Sequence, residues 1–124
     1  MAINPLRMLP VLGMMTAIFV VSAQPGDQLH LPDVWNIDKL CHLLEYAMLA
    51  ATALFVCHPI PKQHRTLIAL AVICFAALYG ISDEVHQSFV PLRTSTVSDV
   101  IADTLGATIV AWAWWWRAGN RAAH

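Results

Sequence analysis

Four long apolar stretches, separated by short polar connections, constrain this chain more than any other feature. The first runs from about Pro5 to Ala23, with Arg7 its only charge. The second runs from about Leu40 to His58, the third from about Thr66 to Ser82, and the fourth from about Val97 to Trp116. Each approaches the roughly 20 residues a helix needs to cross a hydrocarbon core of about 30 Å. The first and third are slightly short, a mismatch that a thin bilayer or snorkelling flanks can absorb. The connections, Gln24–Asp38, Pro59–Arg65 and Asp83–Thr96, are polar and carry prolines. A chain of 124 residues with no internal repeat is expected to form one domain over its whole length. The pattern predicts an all-α integral membrane bundle of about four transmembrane helices.

Composition agrees. The chain is 58% hydrophobic and 12% charged, about half the charge of an average soluble domain. A soluble protein of this size could not cover so much apolar surface with so few charges. The net charge of −1 gives no basic excess for nucleic acid, so membrane lipids are the expected partners. Cys41, Cys57 and Cys74 lie inside apolar runs, in neither a CxxC nor a metal-finger spacing, and read as buried, inert thiols.

Charge placement predicts an orientation. With a cytoplasmic N-terminus, Arg7, Lys62, Arg65, Arg117 and Arg121 lie inside, and only Lys39 and Arg93 lie outside. That satisfies the positive-inside rule with both termini in. The acids Asp27, Asp33, Asp38, Glu45, Asp83, Glu84, Asp99 and Asp103 then fall in outer loops or outer helix halves. Trp112, Trp114, Trp115 and Trp116 read as an inner interfacial belt, and Trp35 as an outer anchor. Val21-Ser22-Ala23 has the small residues of a signal-peptidase site. Its single preceding Arg, and the thin bundle that three helices would leave, favour retention as a membrane helix.

The polar residues inside the apolar pattern carry the chemistry. At about 100° per residue, Asp38, His42 and Glu45 fall within about 60° on one helix face, with Lys39 to the side. Asp99 and Asp103 repeat the spacing in the fourth stretch. Gly106 lies a turn deeper on the same face, where a small residue admits another helix. Between them lie Ser82-Asp83-Glu84-Val85-His86-Gln87 and Pro91-Leu92-Arg93. Acids one or two turns into a membrane helix are costly and usually face the bundle interior. The expected arrangement is one pocket joining the outer ends of the second and fourth helices to the Ser82–Arg93 segment. Six acids there face only Lys39, Arg93 and two imidazoles, His42 and His86. Water, protonation or a bound cation could settle the excess. Oxygen ligands would suit Mg²⁺ or Ca²⁺, but no HExxH or similar motif stands behind a metal, so the sequence assigns no cofactor. Asp38 and Asp99 also suit helix N-termini for purely structural reasons, and Arg93 could simply snorkel to phosphates. His30, His58, His64 and His124 sit at loop or terminal positions and are assigned no role.

These motifs are similar to those of the VanZ-like family: Asp38-Lys39-x-x-His42, Ser82-Asp83-Glu84-x-x-Gln87, Arg93, and Ser98-Asp99-Val100-x-x-Asp103-x-x-Gly106. The resemblance covers roughly residues 36–110 with order and spacing kept. It departs at Asp103, where the family usually has Asn and a neutral amide becomes a titratable group. The resemblance implies a bacterial cytoplasmic-membrane protein. It also suggests a link to glycopeptide antibiotics, since the family's name comes from a member associated with lowered susceptibility to teicoplanin.

Two functional classes follow. The first is an enzyme acting on a lipid-linked or phosphate-bearing envelope substrate at the outer face. Its catalytic residues would be Asp38, His42, Glu84 and Asp99, with His42 and Asp38 as the acid–base pair. Its substrate would be held by Lys39, Ser82, Asp83, Gln87, Arg93 and Asp103, the cations taking an anionic head group. The second is a non-enzymatic lipid- or drug-binding accessory protein whose polar cluster is structural. The mixture of acid, base and imidazole favours the first.

Overall fold

The computed structural model describes residues 4–29, 36–58 and 61–120, and these form four helices with no strand among them. The expected outer anchor Trp35 and the expected inner cation Arg121 lie outside the described residues, as do His30, Asp33, Pro59 and His124. A 3-10 turn over Pro5–Met8 leads into α1, Leu9–Ser22. It starts where Asn4 Oδ1 accepts the Leu6 N–H at 3.0 Å, with proline inside the first turn, where no donor is missed. The longer helices are α2 (Ile37–Cys57), α3 (Arg65–Gln87) and α4 (Val97–Asn120).

The fold turns many large apolar side chains outward and buries small and polar residues beside an apolar centre. Along α4, Val97, Ile101, Leu105, Ile109, Trp112 and Trp116 form an exposed stripe down the whole helix. Its opposite face buries Asp99, Ala102, Asp103, Gly106, Ala107 and Ala111. Leu40, Leu44, Met48 and Phe55 make a similar outward stripe on α2. Three helical segments, Pro5–Ser22, Ile37–Cys57 and Arg65–Gln87, are long and apolar enough to cross a membrane. α4 has the length, and its outward stripe gives it the surface, but tryptophans and charges lower its mean hydropathy.

Lipid supplies little hydrophobic force between helices, so close approach and interhelical hydrogen bonds must hold them. Gly106 supplies the approach: a Cβ there would collide with the Leu43 carbonyl and lie 3.2 Å from the Ala47 nitrogen of α2. Tyr46, Leu49, Ala50, Val72, Ala76 and Ala107 pack the centre between α2, α3 and α4. α1 lies against α2 and α3, where Tyr79 Oη donates to the Met15 carbonyl at 2.7 Å and Phe19 stacks on His86 at 4.4 Å.

Two sequence expectations need correction. The third apolar stretch does not end near Ser82: α3 runs on to Gln87. Gly80, Asp83, Glu84 and Gln87 share its buried face, so a polar run that reads as a loop is a helix end with its polar side turned inward. The cysteines are free but not deeply buried: Cys41 and Cys57 are half-buried and Cys74 is exposed.

The fold sorts charge by end. Arg7 donates to the Phe55 carbonyl at 3.3 Å, and Arg65 stacks over Trp115 at 4.9 Å. These cations lie with Arg117 at the end opposite Lys39, Arg93 and the acids. Trp112 and Trp116 are exposed, while Trp115 Nε1 donates to Thr66 Oγ1 at 3.1 Å.

Candidate functional site

A cavity of about 240 Å³ opens at the acidic end, among the ends of α1, α2 and α3, the loop after α3 and the start of α4. Asp38, His42, Glu45, Gln87, Arg93 and Asp99 line it. The loop that delivers Arg93 turns at Leu92, whose φ of 59° is left-handed, a conformation costing a non-glycine residue about 1–2 kcal/mol. Compensation comes from the Gly26 N–H, which donates to the Pro91 carbonyl at 3.1 Å. Gly26 lies so close to Leu92 that a Cβ would strike its carbonyl.

Three hydrogen-bonded groups surround the cavity. In the first, Arg93 Nη2 donates to Gln87 Oε1 at 2.8 Å, and Gln87 Nε2 donates to Asp83 Oδ2 and Ser22 Oγ, each at 3.2 Å. Arg93 Nη1 is buried without a protein partner. In the second, Lys39 bridges Asp38 and Asp99, while Thr96 Oγ1 donates to Asp99 Oδ2 at 2.7 Å. In the third, His42 Nδ1 lies 2.9 Å from Asp103 Oδ1, and its Nε2 faces Glu84 Oε1 at 4.0 Å. Glu84 Oε2 accepts the Thr96 N–H at 3.0 Å, and Oε1 is buried and unpartnered.

The sequence-derived residues divide accordingly. His42, Glu84, Asp99 and Asp103 meet at one point, with Lys39 beside them. Asp83, Gln87 and Arg93 form the neighbouring wall. Asp38 does not pair with His42: it is half-exposed and holds Lys39 at 2.9 Å. The acid on His42 is Asp103, which is fully buried. Asp38, His42 and Glu45 share the cavity-facing side of α2, but interhelical register gives the imidazole a partner from α4 instead of its own helix. Ser82 is exposed and donates to the Tyr79 carbonyl at 2.7 Å, away from the cavity.

Sequence reasoning missed Thr96 and Gly80. Thr96 ties Glu84 to Asp99, and the Thr96-x-x-Asp99 spacing is a capping-box signature that could have revealed it. Gly80 makes room for the carboxylate on His42, since a Cβ there would lie 2.8 Å from Asp103 Oδ2.

With Nδ1 fixed by a buried acid, His42 presents Nε2 in one orientation, ready to take a proton or hold a metal ion. The mixed donor set of imidazole and carboxylates is one that could hold a cation, and His42, Glu84 and Asp99 each offer an atom within 4.8 Å of the others.

The model of the VanZ/LLP1 family matches residues 3–118. A Schizosaccharomyces pombe protein described as "Uncharacterized protein C11E3.10" is 27% identical over 99 residues. That match takes in 80% of this chain and 59% of the relative, so the chain spans less than two thirds of that curated protein. No solved structure matches the chain.

Proposed function

The chain belongs to the VanZ/LLP1 family, and from that premise we propose that it binds the phosphate-bearing head group of a membrane lipid in the cavity and acts on it at His42. The observation that carries this reading is Arg93 Nη1, a buried guanidinium donor without a protein partner, on a residue that lines the cavity. An unsatisfied charged donor is expensive to bury, and a phosphate oxygen satisfies it. Gln87 fixes the guanidinium through Nη2, leaving the rest of its fork for a two-point contact. Lys39 adds positive charge beside the cavity, on Asp38 and Asp99, and His42 lines the same cavity. The exposed apolar stripes leave the acyl or polyprenyl part in the bilayer. In the bacterial setting the resemblance implies, a lipid-linked envelope precursor at the outer face of the inner membrane has this chemistry. A cavity of about 240 Å³ is of a size for a phosphate-bearing head group. On this reading, any effect on glycopeptide susceptibility would run through an envelope lipid.

The test is binding of phosphate-bearing lipid, with phosphatidic acid and a polyprenyl phosphate as probes, to purified protein in neutral-lipid nanodiscs. Wild type is expected to bind both over their dephosphorylated forms. Arg93→Lys keeps the charge but loses the planar fork, and is expected to lose binding by about tenfold or more. Equal binding by wild type and Arg93→Lys would reduce Arg93 to a surface anchor.

A further inference from the structure

We propose that His42, Glu84 and Asp99 form a binding site for one first-row divalent cation, Zn²⁺ or Mn²⁺. The ligands come from α2, α3 and α4, and all three residues are buried. His42 Nε2 and Glu84 Oε1 face each other at 4.0 Å, too far for a hydrogen bond. Two atoms at that separation can both reach a single ion at about 2.1 Å.

Two observations point to a ligand there rather than to a bare acidic cluster. Glu84 Oε1 has no partner, and its side chain is 7% exposed. His42 Nε2 faces this orphaned carboxylate oxygen, and when a neutral His42 gives its Nδ1–H to Asp103, its Nε2 lone pair and the carboxylate are two acceptors opposing each other. A cation between them resolves both. The second observation is the 2.9 Å contact of Asp103 Oδ1 with His42 Nδ1. An acid on the far ring nitrogen is the recurring outer-shell arrangement that fixes the tautomer of a metal-binding histidine. Imidazole with carboxylates suits zinc or manganese better than the all-oxygen ligation that calcium and magnesium prefer.

Lys39 regulates the site. Its ammonium lies on Asp99, the third ligand, and also reaches Asp38, which is half-exposed. Cation binding shifts Lys39 toward Asp38, so the ammonium competes with the metal for Asp99. His42 and Asp99 both line the cavity, leaving the ion's open positions toward the head group bound by Arg93. The ion's role as an electrophile on that phosphate rests on the function proposed above; the site itself rests on the three ligands.

The test is calorimetric titration and thermal unfolding of detergent-purified, chelator-stripped protein with Zn²⁺, Mn²⁺, Mg²⁺ and Ca²⁺. One Zn²⁺ or Mn²⁺ is expected to bind and raise the unfolding temperature, because it ties three helices together, with Mg²⁺ and Ca²⁺ much weaker. Glu84→Gln should weaken binding about tenfold or more, and Lys39→Met should tighten it. A gain of affinity cannot come from a damaged fold, so Lys39→Met decides the matter if Glu84→Gln is unstable. X-ray absorption of the loaded wild type should show one imidazole with oxygen ligands. No saturable binding of either ion, sulfur ligation, or unchanged affinity in Lys39→Met would overturn the site. Nanodisc binding by the stripped protein is read separately: phosphate-lipid binding that survives without metal binding removes the cation and leaves the Arg93 site standing.

Discussion

Asp103 sits at the most constrained position in the site. It holds His42 Nδ1 with one oxygen, leaves the other unpartnered, and occupies space that only Gly80 leaves open. Its essential contribution is an acceptor in a fixed place, which an amide oxygen also supplies. Asp103→Asn should therefore keep the orientation of His42 and retain activity. Asp103→Leu should strand a buried ring N–H at a cost of about 1–3 kcal/mol and lose activity. Thermal unfolding in detergent beside phosphate-lipid binding checks both, and an Asp103→Asn variant that folds normally but binds no lipid would show that the carboxylate itself is required. Sequence placed Asp38, His42 and Glu45 on one face because helical periodicity is local. It could not say which acid meets the imidazole, because that depends on how far α4 is shifted along α2.

That shift is set between elements. Gly106 lies against the backbone of α2 between Leu43 and Ala47, one turn below Asp103, and so fixes the height at which Asp103 meets His42. Gly106→Ala must separate the two helices or slide one along the other. A loss of about 1–3 kcal/mol is expected, read as a lower unfolding temperature with weaker phosphate-lipid binding. Unchanged stability would mean that α2 and α4 are held elsewhere. The small residues of this contact were legible as a close-approach signal, since Gly106 follows Asp99 and Asp103 on one face. The extension of α3 through Asp83 and Gln87 was not. Polar residues mark a loop in a soluble protein, whereas here they mark the inward face of a helix that has lipid on its other side.

Over the whole molecule, the exposed apolar stripes and the separation of acids from Arg7, Arg65 and Arg117 describe a bundle whose two ends meet different surroundings. If α4 crosses with the other three helices, reporters fused after Asp27 and after His124 should lie on opposite sides, the second in the cytoplasm. Reporters on the same side would show that α4 does not cross. Four crossings with both termini inside would place the cavity at the outer interface, where a head group could enter while its chain stays in the bilayer. The apolar stretches made the four-helix architecture readable from the sequence. A pocket joining the second and fourth helices to the Ser82–Arg93 segment was readable as well, but its walls were not, because they depend on Leu92 turning Arg93 back onto Gln87. The most direct test of the account is mass spectrometry of the lipids carried by wild type and His42→Ala extracted from their native membrane. A phosphate-bearing lipid should accompany the wild type at near one per protein and be retained at a higher level in His42→Ala, which binds it without acting on it. Bulk lipids alone, in the same proportions for both proteins, would contradict it.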